Sequence, residues 1–109
     1  MTPNEYQQKA LETAIYPNRG NNFVYPILGL SGEVGEVAEK LKKIIRDKDG
    51  VMTDDDSKAT ALELSDCAWY MAVLANELGY TLEEIFQMNI DKLQSRKQRG
   101  VLSGSGDNR

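Results

Sequence analysis

Between Ala61 and Gly79 the chain reads ALELSDCAWYMAVLANELG. Projected at about 100° per residue, its Ala, Leu, Cys, Trp, Met and Val side chains cover nearly the whole circumference. A helix that is apolar almost all round is a buried helix, so the rest of the chain has to be built around it. One narrow strip interrupts the apolar surface: Glu63, Asp66, Tyr70 and Glu77. Glu63 and Asp66 stand at i, i+3, with their side chains next to each other.

An ionised carboxylate among apolar groups is costly unless something pairs with it, and two adjacent ones also repel. One solution is a cation; another is a structural ion pair with a lysine or arginine elsewhere. A second acid pair stands in LGLSGEVGEVAEKLKK, residues 28–43, where Glu33 and Glu36 lie one turn apart. By itself this pair also fits a solvated face, with Glu36 pairing to Lys40 and Glu39 to Lys43 at i+4. If the two segments pack as antiparallel helices, four carboxylates converge on one space. Such an all-oxygen, anionic donor set suits Mg²⁺, with Mn²⁺ as substitute, rather than zinc or copper.

The rest of the chain organises around these two helices. A first helix is predicted from Asn4 to Ile15 by the spacing of Tyr6, Ala10, Leu11, Ala14 and Ile15, and Pro17 and Gly20 break it. The second runs from near Phe23 to Arg46, with Pro26 at its start. The third follows the loop DKDGVMTDDDS, with Asp56 or Ser57 as its cap. It stops at Leu78 before Gly79. Thr81, with Glu84 three residues on, makes a capping box for a fourth helix ending near Lys97. No segment alternates over strand length, so the expected fold is all-α: a four-helix bundle-like protomer of antiparallel helices over residues 1–97, with residues 98–109 as a Gly/Ser-rich tail. The third helix has more apolar surface than one bundle covers, which predicts a dimer or a dimer of dimers.

Composition removes competing chemistries. There is no histidine. That excludes Ser-His and Cys-His catalysis, the usual zinc sites and the Glu-x-x-His ligands of di-iron bundles. The single cysteine, Cys67, can form no internal disulfide. A net charge of −4 argues against duplex nucleic acid as a partner. No apolar run reaches the ~20 residues that span a bilayer, and the N-terminal residues lack a secretory pattern. A cytoplasmic setting is the expectation.

Glu33-x-x-Glu36, 26 intervening residues and Glu63-x-x-Asp66 together resemble the signature of the all-α nucleoside triphosphate pyrophosphohydrolases. GLSGEVGEVAEKLKK, ELSDCAWYMAVLANELG, NIDKLQSRKQRG and the terminal GSGDNR look like the MazG-like branch. The resemblance implies Mg²⁺-dependent hydrolysis of a nucleoside triphosphate to the monophosphate and pyrophosphate, in the housekeeping of nucleotide pools. It also implies self-association into a homodimer or homotetramer. It implies that Glu33, Glu36, Glu63 and Asp66 are the metal ligands and catalytic acids. Asn89, Lys92 and Arg96, at i, i+3, i+7, become a triphosphate-contacting face; otherwise they are a solvated helix end suited to the C-terminal dipole. Tyr70 is placed to touch sugar or base, or else to satisfy its hydroxyl at the edge of the core, and Lys40 to approach the phosphates or else to pair with a glutamate. The tail becomes a lid, with Asn108 or Arg109 reaching the nucleotide, or else a free end. Trp69 projects away from the strip, toward core or interface. The alternative function is a metal- or nucleotide-binding helical oligomerisation module without catalysis.

Overall fold

A computed structural model describes all residues, 1–109. It contains four helices and no strands: α1 (Pro3–Leu11), α2 (Val24–Lys48), α3 (Asp54–Glu77) and α4 (Leu82–Gln98). Capping boxes built on threonine open three of them. Thr81 and Glu84 satisfy each other's backbone N–H at the start of α4, as the sequence predicts. The cap of α3 is Thr53 rather than Asp56 or Ser57. Its hydroxyl accepts from the Asp56 N–H at 3.1 Å, while the Asp56 carboxylate accepts from the Thr53 N–H at 3.1 Å. Asp56 is therefore the third residue of the helix, and Asp54, Asp55 and Asp56 put negative charge where the helix dipole favours it. Gly79, at φ +86°, closes α3 by letting the Tyr80 N–H reach the Ala75 carbonyl at 2.9 Å.

The first helix ends at Leu11, four residues before the predicted Ile15. The Thr13 hydroxyl donates to the Ala10 carbonyl at 2.9 Å, and the Trp69 indole N–H donates to that same carbonyl at 3.1 Å. The Thr13 and Ala14 amides then turn back three residues to Ala10 and Leu11. Pro17 completes the break by disfavouring helix at Tyr16. Ala14 is buried, whereas Ile15 points into solvent. In α2, Pro26 falls in the first turn, where its missing N–H breaks no helical bond.

Residues 49–53 join α2 and α3 into a long antiparallel hairpin. α1 and α4 pack on α3 and on each other, but α2 contacts α3 alone. The helices therefore do not close into a four-helix bundle within one protomer. The radius of gyration is 16.9 Å, against about 13 Å for a compact chain of ~100 residues. The core lies around the later turns of α3, where Val73 packs with Leu11, Ala14 and Tyr16, and Ala72 packs with Ala10 and Leu82. Trp69 packs against both clusters, in agreement with its projection away from the acidic strip. Gln7, 2% exposed, ties α1 to this end. Its amide donates to the Ala72 and Tyr80 carbonyls and accepts from the Leu82 N–H. The earlier turns of α3 are not buried: Leu62 and Leu64 are 60% and 61% exposed. No helix is long and apolar enough to cross a membrane.

Candidate active site

The antiparallel register of α2 against α3 builds the site. Glu33 on α2 faces Asp66 and Glu63 on α3. One turn toward the N-terminus of α2, Gly29 lies against Tyr70. Carboxylate oxygens of Glu33, Glu63 and Asp66 all fall within 4.8 Å of one another. Glu33 and Glu63 are half-buried and Asp66 is exposed, so the cluster sits on the seam between the helices with an open side. Burial pushes the Glu33 carboxyl above its ordinary value, and the charges of Asp66, Glu63 and Glu36 push it further. Repulsion of this kind is what a cation relieves. Glu36 is exposed and lies outside the tight group, but close enough for Glu33 to feel its charge.

The nearest fixed cation is Lys40, whose Nζ lies 3.6 Å from Glu63 Oε1 across the seam. It does not pair with Glu36 as a helical i+4 reading would have it. Glu39 pairs with Lys43 as that reading expects, and more closely with Lys42, at 2.8 Å. One half-buried ammonium beside three carboxylates leaves the cluster net negative. The donor set is all oxygen, on two rigid helices, and it fits a hard divalent ion.

Tyrosines border the cluster. Burial first, and then the Asp66 charge, raises the Tyr6 phenol above its usual value. Tyr70 is raised by burial, then by Tyr25, Glu33 and Asp66. Its ring also meets Trp69 edge-on, with centroids 4.9 Å apart.

The MazG nucleotide pyrophosphohydrolase domain matches residues 26–101 of this chain, which takes in all four acids. The chain belongs to the MazG family. It is also 51% identical over 109 residues to the Gene 37 protein of Mycobacterium phage L5, covering 95% of this chain and 96% of that protein. No solved structure matches the chain. MazG domains generally use divalent metals, in keeping with the acidic cluster.

The remaining residues that the MazG resemblance singles out lie elsewhere in the protomer. Asn89, Lys92 and Arg96 are on α4, which does not touch α2. Asn89 lines a groove of about 540 Å³ with Met71, Ile85, Phe86 and Ile90. Lys92 is exposed. Arg96 is 7% exposed and donates to the Asp107 carbonyl at 3.2 Å, so it is no solvated helix end. Asn108 is exposed, and Arg109 folds back onto the carbonyls of Val101, Leu102 and Gly106. The tail thus curls against the end of α4.

Sequence reasoning placed Glu77 on the acidic strip but gave it no task. Its carboxylate accepts from the Tyr16 hydroxyl, from the Gly20 N–H at 2.9 Å and from the Asn22 N–H at 3.1 Å. Burial pushes this carboxyl up, yet these bonds and the nearby Arg19 outweigh that and hold it below its ordinary value. Glu77 pins the α1–α2 loop to α3 and so fixes where α2 begins. A loop rich in N–H donors, YPNRGNN, facing an acid at the end of an apolar helix was the available signal.

Proposed function

We propose that this MazG-family protein is a Mg²⁺-dependent nucleoside triphosphate pyrophosphohydrolase that releases pyrophosphate and leaves a ribo- or deoxyribonucleoside monophosphate. The observation that carries the reading is the convergence of Glu33, Glu63 and Asp66 within 4.8 Å across two helices, in a chain without histidine. With Glu36 one turn along α2, these acids would hold Mg²⁺. When bound, the ion supplies charge to offset the triphosphate oxygens and to acidify water.

The chain's own groups then do three things. The carboxylates would hold the ion whose charge sets the phosphates in line for attack, and positioning is most of what phosphoryl transfer needs from a protein. One carboxylate of the cluster orients a water and takes its proton as the oxygen–phosphorus bond forms at the α-phosphate and the bond to the pyrophosphate oxygen breaks. Lys40 turns from Glu63 toward the departing phosphates.

The α4 and tail residues Asn89, Lys92, Arg96, Asn108 and Arg109 complete a triphosphate face when the tail uncurls from the end of α4, freeing the two arginines, and a second copy brings them to the open side of the cluster, in a homodimer or homotetramer. Exposed Leu28, Val34 and Ile45 on α2 and Leu62 and Leu64 on α3 support such an assembly. The role is the removal of unwanted triphosphates from cytoplasmic nucleotide pools.

The test is pyrophosphate release from a panel of ribo- and deoxyribonucleoside triphosphates, with and without Mg²⁺. Metal-dependent release with a monophosphate co-product is expected. Glu63→Ala and Asp66→Ala abolish it while helical circular dichroism is retained; full activity in either sinks the scheme. Nucleotide binding by the wild type without any release would turn the reading to a non-catalytic binding module.

A further inference from the structure

α2 carries Gly29 in its interior, where glycine is a poor helix former. A Cβ built on Gly29 would lie 2.1 Å from Cε1, 2.4 Å from Cζ and 2.6 Å from Cδ1 of Tyr70. No real Cβ tolerates such distances, so the ring rests where a side chain would have been. Gly32 and Gly35, further along the same helix, have nothing within 4 Å; the need for glycine is particular to Gly29.

The placement follows from the register. Gly29 is four residues before Glu33, and Tyr70 four after Asp66, so the Gly29–Tyr70 contact is the next rung after the Glu33–Asp66 rung. One helical turn separates them, about 5.4 Å. The ring is held from a second direction by Trp69, itself anchored through its indole N–H to the Ala10 carbonyl and the Thr13 hydroxyl. Tyr25, one turn before Gly29, stacks on Tyr16 at 4.8 Å. Aromatic rings thus line this end of the hairpin, and Tyr70 feels the charges of both Glu33 and Asp66.

We infer that Gly29 is a positioning residue: its bare Cα seats the Tyr70 ring one turn from the carboxylate cluster, where the ring forms the wall against which the nucleoside of the substrate packs. This rests on the nucleotide reading of the cluster. A rigid phenol at that distance suits the sugar or base of a molecule whose phosphates would be held by a cation on the acids, because an aromatic wall is tolerant of base identity.

The experiment compares wild type with Gly29→Ala, Tyr70→Ala and the double variant. Four quantities are read: KM and kcat for pyrophosphate release, Kd for a non-hydrolysable α,β-methylene nucleotide with Mg²⁺, and Tm. Gly29→Ala should raise KM and Kd about tenfold, as loss of a stacking contact does, with kcat changed much less. Tyr70→Ala should do the same, and the double variant should be no worse than Tyr70→Ala. The Tm readout should change sign. Gly29→Ala lowers Tm while Tyr70 is present and raises it by a few degrees once Tyr70 is alanine, because alanine is the better helix former.

Unchanged Kd in Gly29→Ala, or penalties that add in the double variant, overturns the inference. A wild type that binds the analogue but releases no pyrophosphate refutes the hydrolase reading alone, and the Kd comparison still decides this one. A wild type that does not bind the analogue overturns it.

Discussion

Glu33→Gln removes one charge from the cluster and keeps the shape of the side chain. With carboxylate oxygens within 4.8 Å, each like-charged pair opposes folding by about 0.9 kcal/mol at the dielectric of water. Glu33 faces two such neighbours, and Lys40 relieves Glu63 rather than Glu33. Screening at ~0.15 M salt reduces the total to roughly 1 kcal/mol. Without metal, the variant should therefore melt higher than wild type, by roughly 4–8 °C for a domain of this size. Mg²⁺ should invert the order. At ~100 times its Kd an ion adds about 2.7 kcal/mol to the protein that binds it, and the variant has lost a ligand. The assay is a thermal melt of both proteins at one concentration, in EDTA and then across a Mg²⁺ titration. The expected result is two curves that cross. A variant that melts lower than wild type in EDTA would refute the account, because it would make Glu33 a partner in a stabilising pair. An equal Mg²⁺ shift in both proteins would refute Glu33 as a ligand.

Trp69→Phe deletes the indole donor to Ala10 and Thr13. It should destabilise by about 1–2 kcal/mol and leave the Mg²⁺-dependent shift intact, as thermal melts in both buffers will show. Glu77→Ala leaves the Gly20 and Asn22 amides and the Tyr16 hydroxyl without their acceptor, at a cost of about 2–3 kcal/mol by urea titration. Since the folded state holds the Glu77 carboxyl below its ordinary value, its contribution is complete above that ordinary value and is lost as pH falls through the lowered one. Asp56 follows the same sign. Lys48 and the Thr53 cap bring its carboxyl from 3.8 down to about 2, so stability should decline between those two values, and Asp56→Asn should flatten that limb of the pH–stability curve.

The readable parts of the sequence were those where local chemistry and tertiary demand agree. Thr81 with Glu84 capped α4 as written, and Gly79 closed α3, because those motifs satisfy their own backbone groups. The convergence of Glu33, Glu63 and Asp66 was legible because acids on a mostly apolar helix need a partner and the i, i+3 spacing set their direction. Local reading failed where distant residues decide. α1 stops at Leu11 because a tryptophan 58 positions further along takes one of its last carbonyls. Arg96, which reads either as a triphosphate contact or as a solvated helix end, is buried because the tail folds over it.

The apolar girth of α3 raises the same issue at the scale of the whole fold. A sequence states how much surface a helix must cover but not which neighbour covers it. Val73 and Ala72 find α1 and α4, whereas Leu62 and Leu64, on the turns that carry Glu63 and Asp66, stay more than half exposed within the protomer. The acids and the uncovered leucines share those turns, so whatever covers the leucines also bounds the site. A second copy seated there would shield the cluster from water and strengthen every charge–charge term in it. The Mg²⁺-dependent shift in Tm should then grow with protein concentration, and a shift independent of concentration would detach the site from self-association.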